Sequence, residues 1–334
     1  MNSDSDQITS LAIQVLARCA LRPDEVLFIV TDDGTMPELA DAFADAGIGI
    51  GAAVRILAAG RRSAAFEELP AALLDRILSP GLVVDLTRLP WLYSDSLTRY
   101  ATECAGAGSR LPLTWGDENL RSSLGVSPLD DRFMDQAVAL TPTIAAAAKL
   151  RIRSTIGTDF HVEMLQRASM IGLPPVRSGD ISAPLYASVT APFSTGSALG
   201  RLIFQGAGHL QGPDPMPFYN HQPAEITVVD GYVQQIEGAG EVAEPLRLWR
   251  RIAPSPEIDR IMDCNIVFDP RGILEEADNL VVHCYQGGIM IGIGSPYEFR
   301  AEGSLKPGYH LDLLFTDCDV DLDGAPLLSM GTFA

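Results

Sequence analysis

Hydrophobic positions in the first 115 residues fall into short continuous runs separated by stretches with helical spacing. Leu11, Val15 and Leu16 make one stripe of an opening helix that ends near Leu21, where Arg22-Pro23-Asp24 supplies the stop. Glu25 to Thr31 is then almost wholly apolar, the pattern of a strand covered on both faces. Pro37 sits where a first helical turn accepts it, and Leu39, Phe43 and Ala46 continue as a helical stripe until Gly47 to Gly51. The alternation repeats: a strand at Ala53 to Leu57, a helix at Leu69 to Leu78, a strand at Leu82 to Leu86, a helix at Ser94 to Ala105 and a strand at Leu111 to Trp115. Strand, helix, strand at this spacing predicts right-handed parallel crossovers.

The period then changes. Met134 to Ala148 is an Ala-rich helix punctuated by Pro142, and the domain junction is placed beside Lys149, giving domains 1–148 and 149–334. Leu150 to Ser154 and Thr158 to Met164 alternate with period two. Short strands follow at Leu185 to Thr190, Gly200 to Gln205, Glu225 to Val229 and Tyr232 to Glu237, the last two joined by the tight-turn pair Asp230-Gly231. Glu241 to Arg251 reads as one further helix. The fold class is therefore an α/β N-terminal domain with a parallel sheet, then an α+β C-terminal domain with a mostly antiparallel sheet.

Composition narrows the function. In 334 residues the formal net charge is −19, the wrong sign for a nucleic-acid partner. No apolar run reaches the roughly 18 residues of a membrane span, and the polar, acidic first residues are not a secretory signal. The five cysteines include no Cys-x-x-Cys pair, which points to reduced thiols in a cytoplasmic protein and away from structural zinc. The turn Thr31-Asp32-Asp33-Gly34-Thr35 after the first strand has no glycine fingerprint and carries two acids where a pyrophosphate would sit, so dinucleotide binding is excluded.

Candidate chemistry converges on Gly308 to Phe315. Read as a strand, it turns Tyr309, Leu311 and Leu313 one way and His310, Asp312 and Leu314 the other. An imidazole and a carboxylate then share a face, an arrangement that fits either two metal ligands or a buried, hydrogen-bonded histidine. His283 lies upstream. Two histidines and one carboxylate occupy one face of an octahedral Fe(II) and leave the rest open for substrate and O2. His161 shares a face with Asp159 and Glu163, which also fits a solvated sheet surface. His209, in a glycine-rich stretch, and His221, in a proline-rich one, read as loop residues and as candidate proton donors. Asp317, Asp319, Asp321 and Asp323 have the spacing of a polar strand face and lack the glycine and glutamate of a calcium loop. No Gly-x-Ser-x-Gly is present, so a serine hydrolase has no support.

Several segments taken in order resemble the two-metal aminopeptidases of the thermophilic leucyl aminopeptidase type. They are Asp24 to Asp32, Pro37 to Ala40, Ile156 to Asp159, Ser182 to Pro184, Gly200 to Gly206, His310 to Asp312 and Leu322 to Gly324. Within that fold, Val282 to Gly287, the glycine-bounded Gly288 to Pro296 and His310-Leu311-Asp312 are similar to the 2,5-dihydroxypyridine dioxygenases, mononuclear iron enzymes that open a hydroxylated ring. Here the peptidase motif Gly-Glu-Val-Phe-Thr-Ala-Pro is the shorter Gly179-Asp180-Ile181-Ser182-Ala183-Pro184, with Asp for Glu. That loss favours the one-metal branch, since a two-metal site needs about six ligands including bridging glutamates. The resemblance implies Fe(II) on His283, His310 and Asp312, a homodimer, and an aromatic or N-heterocyclic substrate cleaved with O2. A metal-dependent aminopeptidase-like hydrolase is the alternative. The family's acid/base Leu-His-Ser is here Leu92-Tyr93-Ser94, so Tyr93 or His161 is the expected acid/base.

Overall fold

The computed structural model describes residues 4–61, 67–88, 91, 94–112, 130–166, 169–170, 177–179, 181–182, 186–211, 216–238, 251, 256–272, 284–294 and 310–334. The chain divides into two compact units, residues 1–128 with 172–185, and 129–171 with 186–334.

In the first unit, helices α1 (Asp4–Arg18), α2 (Pro37–Ile50), α3 (Ala71–Ile77) and α4 (Asp95–Ala107) alternate with strands β1 (Val26–Thr31), β2 (Ala53–Ala58), β3 (Gly81–Asp85) and β4 (Ser109–Pro112). Their order is β2-β1-β3-β4, all parallel, as the apolar runs predict, and β8 (Ile181–Ser182) adds a parallel edge strand beside β4. Leu27 to Val30 and all of β3 are buried, because a parallel strand has neighbours on both faces. At the end of β1, Asp32 Oδ1 accepts from the amides of Gly34 (2.9 Å) and Arg88 (3.1 Å). The loop's own carboxylate takes those donors. Ser94 caps α4, accepting from the Leu97 amide.

Arg110, on β4, is held inside this unit. Its side chain is 5% exposed, stands 2.6 Å from Glu25 Oε2 and donates to the Cys19 carbonyl. Glu25 also pairs with Arg22 at 3.1 Å and so keeps a partner when Arg110 is removed; Arg110→Ala is expected to cost about 1.5–3 kcal/mol, the worth of a charge-assisted hydrogen bond. Urea unfolding of the two proteins measures it; a midpoint equal to wild type would contradict it.

The second unit begins earlier than the expected junction at residue 148. Helix α5 (Asp131–Ala146), capped by the Asp130 carboxylate on the Arg132 amide, carries through Pro142 and buries Ala137 and Ile144 in the same core as the sheet that follows. Residues 172–185 also return to the first unit. The sequence boundary misplaced both segments because amphipathic spacing marks a buried face without naming what buries it.

The large sheet contains β5 (Lys149–Ser154), β6 (Asp159–Glu163), β7 (Ser169–Met170), β9 (Ser188–Pro192), β10 (Leu199–Gln211), β11 (Met216–Val229), β12 (Tyr232–Glu237), β13 (Ile261–Val267), β14 (Ile289–Gly294), β15 (His310–Phe315), β16 (Cys318–Leu322), β17 (Ala325–Ser329) and β18 (Thr332–Phe333). Its main path is β18-β17-β16-β5-β6-β10-β15-β14-β13-β9-β7, with β11 beside β10 and β12 beside β11. Its described pairs are antiparallel. The β11–β12 hairpin turns on Asp230 (φ 51°) and Gly231 (φ 82°), both left-handed as a two-residue turn requires. The aspartates after β15 hold structure: Asp321 pairs with Arg153, Asp319 accepts from the Met330 amide, and Asp323 accepts from the amides of Ala148 and Lys149. The helix expected over Glu241 to Arg251 lies, apart from Arg251, outside the described residues.

Candidate metal centre

β15 lies inside the sheet between β10 and β14, and all six of its residues are buried. Leu311, Leu313 and Phe315 join the main core. The opposite face carries His310, Asp312 and Leu314, as the period of two predicts. His310 and Asp312 are 2% and 1% exposed, and Nε2 of the imidazole stands 2.8 Å from Oδ1 of the carboxylate.

The neighbouring strands supply the rest of this face. Antiparallel register sets His209 of β10 opposite Asp312, Gly292 of β14 opposite Asp312 on the other side, and Asp263 of β13 opposite Gly292. Asp263, Gly292, Asp312 and His209 thus form one row across four strands, and residues in such a row share a face. Asp263 is 3% exposed and His209 5%. One step along, Ala207, Met290 and Leu314 form an apolar floor against which Tyr219 and Tyr285 pack. Beside it the Thr190 hydroxyl donates to Asn265 Oδ1, and Asn265 Nδ2 lies 3.9 Å from Met290 Sδ.

Gly292 is the open point of the row. A Cβ placed there would lie 2.2 Å from Asp263 Oδ1, 2.8 Å from His310 Cε1 and 2.9 Å from His310 Nε2. The glycine leaves a space bounded by a carboxylate oxygen and an imidazole nitrogen. Two ligand atoms at right angles on an ion with bonds of ~2.1 Å stand roughly 3 Å apart. The His310–Asp312 separation matches that, and it equally matches a direct hydrogen bond from the imidazole to the carboxylate. Among the described residues, no group of three or more His, Cys, Asp or Glu side chains is placed to hold a metal ion, so His310 and Asp312 supply at most two protein ligands from this part of the chain. Cys264, next to Asp263, is no ligand: it faces the core, and burial, with the charge of Asp263 second, pushes its thiol up.

The other expected site residues are placed as follows. His283 and Tyr93 lie outside the described residues. Cys284, which follows His283, donates its thiol to Asp269 Oδ2 at 3.3 Å, and Arg271 grips the same carboxylate at 2.9 and 2.7 Å. His161 is exposed on β6 opposite Leu199, ten residues of β10 from His209 and so roughly 30 Å along the strand. It lines a surface cavity of about 880 Å³ with Lys149, Arg151, Glu163, Asp321 and Asp323, none of them in the His310 row. His161 is therefore not brought to the pair.

Two loop expectations are corrected. His209 lies inside β10, which runs past a bulge between Phe204 and Gly206. Its glycines mark close approach: a Cβ at Gly208 would meet the Phe218 ring at 2.4 Å. His221 lies on β11, exposed, with its ring 4.8 Å from that of Tyr219. Asp263 and β13 were missed altogether, although Met262-Asp263-Cys264-Asn265-Ile266 alternates polar and apolar residues as a strand does.

The sequence profile of the 2,5-dihydroxypyridine 5,6-dioxygenase family matches residues 7–257. The chain belongs to this family. It is a ring-cleaving dioxygenase, and a metal cofactor goes with that chemistry. The matched span stops short of β13, β14 and β15, so the family assignment and the cluster around His310 are separate observations. Among solved structures, 2,5-dihydroxypyridine dioxygenase from Pseudomonas putida KT2440 is similar over 100% of this chain and 98% of that one, with TM-score 0.82 and 20% identity. Wild-type AmpT from Thermus thermophilus is similar over 98% and 99%, with TM-score 0.62 and 14% identity. At those identities the likeness shows the shared aminopeptidase-like fold. No curated protein sequence matches the chain. The hydrolase alternative rests on fold alone. Among the described residues no helix is long and apolar enough to cross a membrane.

Proposed function

We propose that this dioxygenase opens a hydroxylated pyridine or a related hydroxylated aromatic ring with O2, using Fe(II) held by His310 and Asp312 with His283 as the sequence-derived third ligand. The observation that carries the reading is the buried His310–Asp312 pair facing the space before Gly292. When bound, the metal supplies a path for electrons from substrate to O2, a reaction that spin otherwise forbids.

The chain's own residues divide the remaining work. His310 ligates as neutral imidazole, so its ring nitrogen carries no proton when the ion is held. Asp312 supplies negative charge at the same point. His209, directly across from Asp312 and also buried, is a proton-handling group beside the pair. Ala207, Met290 and Leu314 keep one side of the site apolar and exclude water from it. Tyr93 stays a candidate acid/base from sequence, whereas His161, at the far end of β10, is given no role. The protein is proposed to work as a cytoplasmic homodimer.

The test is anaerobic loading with Fe(II), followed by O2 uptake with 2,5-dihydroxypyridine, other hydroxypyridines and catechols. Uptake with consumption of one of these rings is expected. No uptake, together with hydrolysis of an aminoacyl arylamide after Co(II) or Zn(II) loading, reverses the assignment.

A further inference from the structure

We infer that Asn265, held in orientation by Thr190, is the group that recognises the ring: its amide N–H donates to the carbonyl oxygen of a hydroxylated N-heterocycle in its lactam form. The inference rests on the proposed ring-cleaving site and assigns the end of it away from the His310–Asp312 pair.

Register places the group. Thr190 of β9, Asn265 of β13, Met290 of β14 and Leu314 of β15 follow one another across the sheet. Their row lies two residues along from the Gly292–Asp312 row and on the same face, since the alternate residues Val189, Cys264, Ile291 and Leu313 all join the main core. From Asn265 to Asp312 the step is two strands sideways and two residues along, roughly 12 Å between Cα atoms. Two side chains and one six-membered ring fill such a span. Between them stand Gly292, which has no side chain, and Met290, whose soft thioether suits the face of a ring.

The hydrogen bonds give the chemistry. Asn265 is 3% exposed and Thr190 is fully buried. The Thr190 hydroxyl donates to Asn265 Oδ1, which fixes the amide and turns Nδ2 away from Thr190. Nδ2 carries two N–H donors, and its acceptor among the described residues is Met290 Sδ at 3.9 Å, a weak one. Ser188, two residues back on β9 and fully buried, has a hydroxyl with no hydrogen-bond partner among the described residues. Buried polar groups are normally paired. A strong acceptor completes this strip, and a lactam carbonyl is a stronger acceptor than a phenol oxygen. 2-Hydroxypyridines exist in water mainly as that lactam, whereas hydroquinone presents only phenol oxygens.

Ring binding tests this without turnover. Fe(II)-loaded protein is titrated anaerobically, by calorimetry, with 2,5-dihydroxypyridine and with hydroquinone, which differ at one ring atom. Wild type is expected to bind the pyridine about tenfold tighter or more. Asn265→Leu, similar in volume, is expected to lose about tenfold or more on the pyridine, the worth of one hydrogen bond to a buried group, and to stay within about threefold on hydroquinone. Thr190→Val is expected to shift the preference the same way, whereas Thr190→Ser keeps it. No preference in wild type, an unchanged preference in Asn265→Leu, or equal losses on both rings overturns the inference and leaves the ring-cleaving reading standing. Binding of neither ring by fully loaded wild type overturns that reading and the inference with it. Should Asn265→Leu fail to fold, Asn265→Asp replaces the donor with an anionic acceptor of the same shape: an erased preference supports the inference and a retained one overturns it.

Discussion

His310→Ala and Asp312→Asn are each expected to purify without metal and without dioxygenase activity. Both residues are at most 2% exposed, and their donor atoms stand 2.8 Å apart on one strand face. Removing a ligand exceeds the change of an outer-shell partner, which alone costs ~10–100-fold in affinity, so bound metal is expected to fall below one tenth per chain. The amide of Asp312→Asn keeps shape and volume and removes only charge, which separates loss of ligation from loss of packing. Elemental analysis of anaerobically purified protein, with O2 uptake on the same samples, gives the answer. A full complement of metal in either variant would sink the site.

Gly292→Ala is expected to do comparable damage with a single methyl group. Its Cβ would lie 2.2 Å from Asp263 Oδ1 and under 3 Å from two atoms of the His310 ring, inside van der Waals contact with all three. Neither neighbour can swing into solvent, since both are buried and both lie on central strands. Overpacking of this kind costs about 1–3 kcal/mol, and the displaced atoms include the proposed donor Nε2 of His310, so metal affinity should drop at least tenfold with it. Gly49→Ala is the control. It sits in α2 with nothing within 4 Å of its would-be Cβ, and alanine there should stabilise by about 0.4–1 kcal/mol. Thermal melting of the two variants should move in opposite directions, and Mn(II) affinity should fall in Gly292→Ala and stay at the wild-type value in Gly49→Ala. A Gly292→Ala protein with wild-type melting and affinity would show that the space before position 292 has no functional occupant.

Much of the fold was readable before any coordinates because the signals are local. The apolar runs at β1 and β3 mark strands covered on both faces, and the Asp230-Gly231 turn is a two-residue geometry that few other pairs adopt. The errors share one cause. His209 and His221 read as loop residues because glycine and proline punctuate most chains, but in β10 Gly208 answers to the Phe218 ring packed on it from β11. His161 drew attention through acidic neighbours on its face, and that face belongs to solvent.

By itself the sequence determined that His310 and Asp312 share a face, because strand period is a property of adjacent residues. It also determined the change from parallel to antiparallel architecture and, through the profile over residues 7–257, the family. Only the tertiary structure decided that Asp263, Gly292, Asp312 and His209 stand in one row. Those four lie on strands separated by tens of residues, and their alignment depends on which strands pair and in what register. Interstrand hydrogen bonds and the buried face of the whole sheet set that choice, and no local stretch of sequence encodes it.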